Sequence, residues 1–436
     1  MSAMESKAES KAESKVGASR VADDPELPLH GVRVLAVEQM YSLPFATQLM
    51  AYLGADVVKI EPPGAGELGR YDVLGVTDDD GLHVGYTYAR NNLGKRSVCI
   101  DLGKPEGAEL VRKLAGGFDI LASNFRPGVM EKLGLGYDRL RALHPKLVYM
   151  SLSGFGTLNP TEYANRPGFA PIVEAMSGLY DYKNPPNTPP VVCPMGALGD
   201  LAPGVFSLVG MLAALNKAGR TGRGSFVDVA MYDAMAAMAD VVPGYWSLGS
   251  TPDDPANAAG VLAAFQARDG WFVIMALRNQ HLKRLAEAIG HPEWLNDPRF
   301  AKRTGWNEHI EDVVRPAVHA WAAGRSKFEL CEELGAKGIA AGPCHNAQEV
   351  VRDPHLKQHE MLVDVPRPDG GRPIIAMGNP IKFEGVAQPN LGRWPRLAEH
   401  TREVLGRELH LGDAEIRALA ERGVVGLQKE NRSDRT

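Results

Sequence analysis

Residues 31–63, GVRVLAVEQMYSLPFATQLMAYLGADVVKIEPP, contain the pattern that decides the fold. The run VRVLAV (32–37) is short, apolar and rich in β-branched residues, which is typical of a buried strand. Residues 44–55 then have apolar side chains at helical spacing, and Gly54 marks the end of the helix. A second strand is predicted at DVVKIE (56–61), and two prolines stop it. The stretch therefore predicts a strand, a helix and a second strand in succession.

The same alternation returns further along the chain. Strands are predicted at 97–102, 118–125, 147–156 and 225–231, and helices at 104–117, 137–145 and 203–217. Alternating strands and helices with short connections indicate a parallel, doubly wound sheet. We therefore predict an α/β fold in which a doubly wound, Rossmann-like large domain is accompanied by a smaller α+β domain.

The position of the smaller domain follows from a change of pattern after about residue 245. TPDDPANAAG (251–260) is typical of a linker, and VLAAFQARDGWFVIMAL (261–277) predicts a hairpin that turns at Asp269-Gly270. We predict the small domain at 245–340.

The large domain is then predicted from two parts of the chain, 28–235 and 341–425. Residues 1–27 repeat Glu-Ser-Lys-Ala and carry few apolar side chains, so we predict a disordered tail there. A second tail is predicted at 426–436.

Composition excludes several classes of protein. The formal net charge is -5 at pH 7, which argues against a nucleic-acid-binding or membrane-surface protein. The four cysteines form no CxxC pair and no cluster with histidines at metal-ligand spacing, which is typical of reduced thiols. No apolar run is expected to span a bilayer, and the N-terminal segment lacks the apolar stretch of a signal peptide. We expect a cytoplasmic protein without a metal, a nucleic-acid partner or a membrane.

One carboxylate stands alone in MGALGDLAPGV (195–205). Asp200 precedes an apolar helix with a proline near its first turn, and capping of that helix is enough to explain it. A helix N-terminus also keeps a carboxylate ionised, and the small neighbours leave room for a substrate. Local sequence favours the cap and leaves the nucleophile open.

Two further stretches carry candidate ligand contacts. Asn124 and Phe125 end a predicted strand, where open α/β sheets bind ligands. Arg126 and Lys132 are either phosphate ligands or solvated surface charges. Phe169, in the predicted loop ANRPGFAPIVEAMSG, is a residue type more often found in a core than against a ligand.

Several phrases together carry a family resemblance. The chain resembles the class III CoA-transferases, the CaiB/BaiF group of formyl-CoA transferase, carnitine CoA-transferase and the α-methylacyl-CoA racemases, from about residue 28 to about 425. The phrases, in order, are GVRVLAVEQ with ATQLMAYLGADVVKIEPPG, NNLGKRSVCIDLGKPEG, SNFRPGVMEKLGLGYDRLRALHPKLVYMSLSGFG, RPGFAPIVEAMSGLY, ALGDLAPGVFSLVGMLAALNKAGRTGRGSFVDVAMYDA and GIAAGPCHNAQEVVRDPHL.

The resemblance implies an activity and a set of site residues. In the family's transferases the Asp of the LGD phrase is the nucleophile, which here is Asp200. It implies transfer of CoA from an acyl-CoA thioester to a carboxylic acid through an aspartyl-CoA thioester, with CoA as substrate and no metal. It also implies an interlocked homodimer. The CoA contacts implied by matching positions are Met40, Tyr41, Ser42, Ile100, Gly103, Asn124, Phe125, Arg126, Lys132, Arg166, Phe169 and Met231.

Two alternatives remain open at the level of sequence. The first alternative is an acyl-CoA racemase or epimerase. The racemase branch pairs that Asp with an upstream His, whose position corresponds here to Phe169. A phenyl ring cannot move a proton, which disfavours this alternative. Departures from the family pattern at Ala36, Leu43 and Pro62 favour the second, a non-catalytic subunit of a heteromeric CoA-transferase.

Overall fold

A computed structural model describes residues 20–78, 80–182, 184, 187–193, 197–250 and 259–428. The chain divides into two compact units. The large unit comprises residues up to 180, 190–239 and those from 360 onward, and the small unit comprises 181–189 and 240–359. The small unit thus takes in residues on both sides of the predicted range.

Most of the two predicted tails lies outside the described residues, but their inner ends belong to the large unit. Leu27 is 4% exposed, and a Cβ on Gly54 would come 2.5 Å from the Leu27 Cβ. Gly426 pairs with Cys99 in a short strand. The packed structure therefore extends beyond the predicted limits of 28 and 425, because single apolar residues find core positions there.

The described residues form fourteen strands. They are β1 (Arg33–Val37), β2 (Asp56–Glu61), β3 (Gly75–Thr77), β4 (His83–Gly85), β5 (Arg96–Ile100), β6 (Ile120–Ser123), β7 (Val148–Ser153), β8 (Phe226–Ala230), β9 (Val261–Ala267), β10 (Gly270–Ala276), β11 (Ala340–Pro343), β12 (Leu362–Val365), β13 (Ile374–Met377) and β14 (Val425–Gly426).

Seventeen α-helices are found in the same residues. They are α1 (Ser42–Tyr52), α2 (Tyr86–Asn91), α3 (Pro105–Leu114), α4 (Val129–Lys132), α5 (Tyr137–Leu143), α6 (Ala170–Met176), α7 (Leu198–Thr221), α8 (Met231–Met238), α9 (Val241–Ser247), α10 (Asn279–Ala288), α11 (Arg303–Glu308), α12 (Arg315–Ala322), α13 (Lys327–Ala336), α14 (Ala347–Val350), α15 (Pro354–Gln358), α16 (Thr401–Leu409) and α17 (Asp413–Glu421).

The large unit is built on a seven-stranded sheet with the order β14-β5-β2-β1-β6-β7-β8. Every neighbouring pair is parallel except β14 with β5, which is antiparallel. The prediction of a parallel sheet is confirmed. The antiparallel edge strand was not predicted, because two residues are too short to show a strand pattern.

Successive side chains of β1 explain why the sheet is covered on both faces. Val34 and Ala36 are buried in one hydrophobic core, and Leu35 and Val37 are buried in another. Side chains of a strand point alternately to opposite faces, so a strand that is apolar throughout must be covered on both. Helices α1 and α7 contribute to the first core, and α3 and α16 to the second.

Strand β1 is also the point where the order of the sheet reverses. The chain runs from β1 to β2 and β5 on one side and then crosses to β6 and β7 on the other. Ligands of open α/β sheets bind outside the carboxyl ends of the strands at such a point. The fold therefore directs attention to the loops that follow β1 and β6.

The small unit contains a three-stranded antiparallel sheet with the order β11-β10-β9. The predicted hairpin is present, but Ala267 pairs with Gly270, so the turn residues are Arg268 and Asp269, one position earlier than predicted. A separate hydrophobic core, which includes Phe265 and Phe272, lies against this sheet.

Helix α7 departs from the sequence prediction in length. It runs from Leu198 to Thr221, which makes it long and apolar enough to cross a membrane by length and composition alone, so the expectation that no run qualifies is wrong. Within the qualifying window 44% is buried, and α7 packs beside α1, where a Cβ on Gly204 would come 2.7 Å from the Ser42 carbonyl oxygen. A buried core helix has the same composition, so one such helix is weak evidence of a membrane span.

Candidate active site

A cavity of about 330 Å³ lies at the carboxyl ends of the strands. Residues that follow β1, β6, β7 and β8 all line it, including Met40, Asn124, Gly154 and Met231. Asp200 lines it as well. The cavity is therefore where the topology of the sheet places a ligand.

Most of the predicted contact residues lie together here. The cavity is lined by nine of the twelve: Met40, Tyr41, Ser42, Asn124, Phe125, Arg126, Arg166, Phe169 and Met231. The other three are not among its lining residues. Ile100 is 1% exposed in the core beside the sheet, and Gly103 and Lys132 are exposed.

Asp200 lies inside helix α7 and not before it. The helix begins at Leu198, its N-cap is Ala197, and no side chain caps it. The prediction of a capping role is therefore wrong, because the helix starts earlier than the apolar run and puts Asp200 in the first turn. Its carboxylate accepts no hydrogen bond from the described residues, while its carbonyl oxygen accepts one from Ser42 Oγ at 2.7 Å.

The residue before Asp200 must be glycine for the site to form. A Cβ on Gly199 would come 2.6 Å from the carbonyl oxygen of Ala170, the first residue of α6. Such a separation is prohibitive, so only glycine lets the starts of α6 and α7 approach this closely.

Helix α6 brings a second carboxylate to the site. Glu174 is 0% exposed, and its Oε1 accepts the Gly199 N–H at 2.6 Å. Its Oε2 accepts a hydrogen bond from the Tyr180 hydroxyl. Sequence analysis missed Glu174, because a glutamate in an apolar helical stretch has no signal that identifies its neighbours in space.

Burial and nearby charges set the ionisation of Asp200. Burial raises its pKa to about 6, the negative Glu174 also raises it, and the positive Arg90 lowers it. A carboxylate with this pKa is ionised at neutral pH, and its basicity is greater than that of an exposed aspartate. Arg90, on α2, was also missed by sequence analysis.

These charges give the first prediction, on pH dependence. A reaction that needs ionised Asp200 loses rate as the pH falls through about 6, and at pH 5 about a tenth of the groups remain ionised. Glu174→Gln keeps the acceptor for Gly199 and removes the negative charge, so the pKa of Asp200 falls. At pH 5 we expect the variant to retain several times more of its pH 8 rate than the unmodified enzyme.

The matched control is Tyr180→Phe, which removes the hydrogen bond to Glu174 and leaves its charge in place. The acid limb of its pH profile should not move to lower pH. An acid limb of Glu174→Gln that stays in place, or moves to higher pH, would contradict this electrostatic account.

The loop after β1 is held by side chains from elsewhere in the large unit. Met40 has φ 63°, in the left-handed region that side chains other than glycine rarely adopt, and its N–H donates to Glu67 Oε2 at 3.0 Å. Gln39 and Asn124 exchange two hydrogen bonds, of 3.0 and 2.9 Å. The loops after β1 and β6 are therefore fixed to each other, and Glu67 is a further residue that sequence analysis missed.

The cavity offers little for racemisation or for metal binding. No histidine is among its lining residues, and Phe169, where the racemase pattern has a His, is 62% exposed. His144 lies away from it, with its ring nitrogen 3.2 Å from the Arg112 carbonyl oxygen. In the part of the chain that the structure describes, no three His, Cys, Asp or Glu side chains are grouped to hold a metal ion.

Comparison with known proteins identifies the family. The sequence pattern of CoA-transferase family III matches residues 29–401. The chain is 34% identical to the succinyl-CoA–D-citramalate CoA-transferase of Chloroflexus aurantiacus, over 92% of this chain and 99% of that protein. It is 35% identical to the succinyl-CoA:mesaconate CoA-transferase of Haloarcula hispanica, over 86% and 95%. The crystal structure of a CaiB/BaiF family protein from Brucella suis superposes with a TM-score of 0.76, at 28% identity, over 88% of this chain and 99% of that one.

The fold and the site thus define an enzyme of the CoA-transferase class. The chain belongs to CoA-transferase family III, and the resemblance drawn from its sequence phrases is confirmed. Its activity is the transfer of CoA between an acyl-CoA thioester and a carboxylic acid.

Proposed function

We propose that Asp200 is the nucleophile of this transfer and that the reaction passes through an aspartyl-CoA thioester. The observation that carries the proposal is the Asp200 carboxylate itself. It lines the cavity, it accepts no hydrogen bond from the described residues, and it lies in the first turn of α7. Such a carboxylate is free to attack, and the helix N-terminus stabilises negative charge that develops beside it.

The chemistry consists of two mirrored halves, and each half balances. The Asp200 carboxylate attacks the thioester carbon of the donor, which breaks the C–S bond and gives a mixed anhydride and CoA thiolate. The thiolate then attacks the Asp200 carbonyl carbon, which gives the aspartyl-CoA thioester and releases the donor acid as its carboxylate. An acceptor carboxylate repeats these steps in reverse, and no proton is gained or lost overall.

The cavity supplies groups suited to CoA. Asn124, Phe125 and Arg126 stand at the carboxyl end of β6, and Arg166 enters from the loop before α6. Arginine suits phosphate because its planar group donates two parallel hydrogen bonds. We propose these residues as CoA contacts and Met40 and Tyr41 as neighbours of the thioester.

We further propose a homodimer, interlocked as the family resemblance implies. Support comes from the apolar side of α7 that the single chain leaves open, where Val205, Phe206 and Val209 are 46%, 40% and 57% exposed. Clustered apolar side chains on a surface mark an interaction site. Light scattering should give twice the chain mass of 47.1 kDa, and a monomer or a complex with a related chain would contradict the homodimer.

The location that we propose is the cytoplasm. All four cysteines are described, and each is a free thiol. Free thiols are typical of a reducing compartment. Cell fractionation tests the proposal, and recovery of the protein with membranes would contradict it.

The covalent intermediate is tested by mass spectrometry of the full-length protein after incubation with a panel of acyl-CoA thioesters. A CoA adduct should appear on the peptide that contains Asp200, and it should be absent from Asp200→Ala under the same conditions. An adduct that persists in Asp200→Ala, or no adduct with any donor while CoA still binds, would overturn the proposed role.

A further inference from the structure

The buried Glu67 carboxylate fixes the backbone of Met40, a residue that lines the cavity. Met40 has φ 63°, and its N–H donates to Glu67 Oε2 at 3.0 Å. The same oxygen accepts the Gly69 N–H at 2.6 Å, and Glu67 is 4% exposed. A left-handed conformation is unfavourable for a side chain such as methionine, and it persists only where the surroundings impose it. The hydrogen bond to Glu67 is therefore one of the contacts that impose it.

The Glu67 carboxylate is itself held by the residues of β2. Its Oε1 lies 3.4 Å from Lys59 Nζ, and the Glu67 N–H donates to Glu61 Oε2 at 3.2 Å. The Lys59 side chain is 0% exposed, and Glu38 Oε1 lies 3.7 Å from its Nζ. A buried charge is costly without an opposite charge beside it. The attraction of Lys59 therefore keeps the carboxylate where it accepts from Met40.

The loop between β1 and α1 is held at two further points by the same group of buried charges. Glu38, which follows β1, accepts hydrogen bonds from Lys95 Nζ at 2.9 Å and from Thr47 Oγ1 at 2.8 Å. Lys95 also donates to the carbonyl oxygen of Pro44, in the first turn of α1, at 3.0 Å. Both ends of the loop are thus anchored, and Glu67 anchors its middle.

This loop leads directly to the nucleophile. Two residues after Met40, the Ser42 hydroxyl donates to the carbonyl oxygen of Asp200 at 2.7 Å. Met40, Tyr41 and Ser42 all line the cavity that Asp200 lines. A misplacement of about 1 Å between reacting groups lowers a rate about 100-fold. A change of backbone conformation at Met40 would displace the residues that share the cavity with Asp200.

We infer that Glu67 is a positioning residue for CoA transfer, which acts through the backbone of Met40 on the geometry between the thioester and Asp200. The inference rests on the proposed function, because it takes Asp200 as the point of attack. Glu67 makes and breaks no covalent bond. The arginines that we propose as CoA contacts, Arg126 and Arg166, lie on other loops. Loss of the Glu67 acceptor should therefore slow the attack and leave the affinity for CoA nearly unchanged.

Two variants that both remove the charge isolate the hydrogen bond to Met40. Glu67→Met has no acceptor, whereas Glu67→Gln keeps one at the same length. The rate of adduct formation on Asp200 is measured by mass spectrometry in a single turnover, with acetyl-, butyryl-, succinyl- and benzoyl-CoA. With the donor that reacts fastest, Glu67→Met should react about 100-fold more slowly than the unmodified protein, and Glu67→Gln at least about tenfold faster than Glu67→Met.

The dissociation constant of CoA separates positioning from binding, and for both variants it should change by less than about threefold. The matched control is Tyr88→Phe, which removes a buried hydrogen bond of 3.0 Å to Glu61 that does not involve the loop. Its rate should stay within about twofold of that of the unmodified protein.

Amide hydrogen exchange tests the contact without reference to the nucleophile. The Met40 amide should exchange at least about tenfold faster in Glu67→Met than in Glu67→Gln, because only the first lacks the acceptor. If neither variant folds, Met40→Val carries the test with Glu67 intact. A β-branched side chain resists the left-handed region, so Met40→Val should react at least about tenfold more slowly than Met40→Leu.

The outcomes distinguish this inference from the proposed function. Equal rates for Glu67→Met and Glu67→Gln, or equal exchange of the Met40 amide in the two, would overturn the inference and leave Asp200 as nucleophile. Equal rates for Met40→Val and Met40→Leu would do the same. An unmodified protein that forms no adduct with any of the four donors would overturn the proposed function and the inference that rests on it.

Discussion

Asp200→Asn is expected to lower kcat/KM for CoA transfer by about a thousandfold or more. The amide has nearly the size of the carboxylate but cannot attack a thioester, so the first half of the exchange stops. The hydrogen bonds that hold the site together do not involve the side-chain carboxylate of Asp200. Gly199 still donates to Glu174, and Ser42 still donates to the carbonyl oxygen of residue 200. The measurement is steady-state transfer together with the dissociation constant of CoA, which should change by less than about threefold.

The same variant makes a prediction about stability. Burial raises the pKa of Asp200 from 3.8 to about 6, so the folded state binds more protons than the unfolded state between those values. The free energy of unfolding therefore falls as the pH rises through this window. Above it the buried charge is a net cost, and Asp200→Asn should unfold at pH 7.5 at a temperature no lower than the unmodified protein. Transfer above a tenth of the normal rate, in this variant and in Asp200→Ala, would refute the nucleophile.

Arg70→Met should cost about 3–5 kcal/mol of stability, the largest loss that we expect from one substitution. Glu61 is 0% exposed and accepts hydrogen bonds from Arg70 Nε at 2.7 Å and from an Arg70 terminal nitrogen at 2.8 Å. The guanidinium also stacks on the buried ring of Tyr88 at 3.7 Å. Removal of Arg70 leaves the buried Glu61 carboxylate without its hydrogen-bonded cation and with the more distant charge of Lys59, and this loss of charge compensation is the cause of the lower stability.

Urea unfolding of Arg70→Met beside Arg417→Met tests the size of the effect. Arg417 forms an exposed ion pair with Asp413, at 3.8 Å, so its loss should cost less than about 1 kcal/mol. A similarly small loss for Arg70→Met would contradict the prediction that the Arg70 guanidinium stabilises the folded state through the buried Glu61 carboxylate.

The buried ion pair of Arg70 with Glu61 also predicts how the free energy of unfolding depends on pH. Burial is the largest single effect and raises the pKa of Glu61, but the charge and hydrogen bonds of Arg70, the charge of Lys59 and the hydrogen bond from Ser97 together lower it from 4.5 to about 2. The contribution of Glu61 is therefore complete above the ordinary carboxyl pKa and is lost as the pH falls toward 2. In Arg70→Met the pKa of Glu61 rises, so the variant should begin to unfold at a higher pH than the unmodified protein when acid is added.

The sequence alone determined the parallel sheet, most of its strands and the residue at the centre of the site. The apolar run 32–37 indicates a buried strand because a strand covered on both faces is apolar on both sides, and 56–61 indicates a strand by its β-branched residues between a glycine and two prolines. Asp200 was found because a carboxylate among small apolar residues has few ordinary roles, and because its phrase matches the family. Both features depend on residues that are neighbours in the sequence, so they can be recognised without the tertiary structure.

Only the tertiary structure decided what surrounds Asp200. Glu174 lies on α6, Arg90 on α2 and Glu67 in the loop after β2, and no spacing in the chain connects them with residue 200. Their roles depend on distance, burial and charge, which exist only once α2, α6 and α7 are assembled around the sheet. The start of α7 was predicted too late for the same reason. Its first turn is held by the hydrogen bond from Gly199 to Glu174, which is a contact between two helices. The apolar pattern of α7 itself does not indicate this contact.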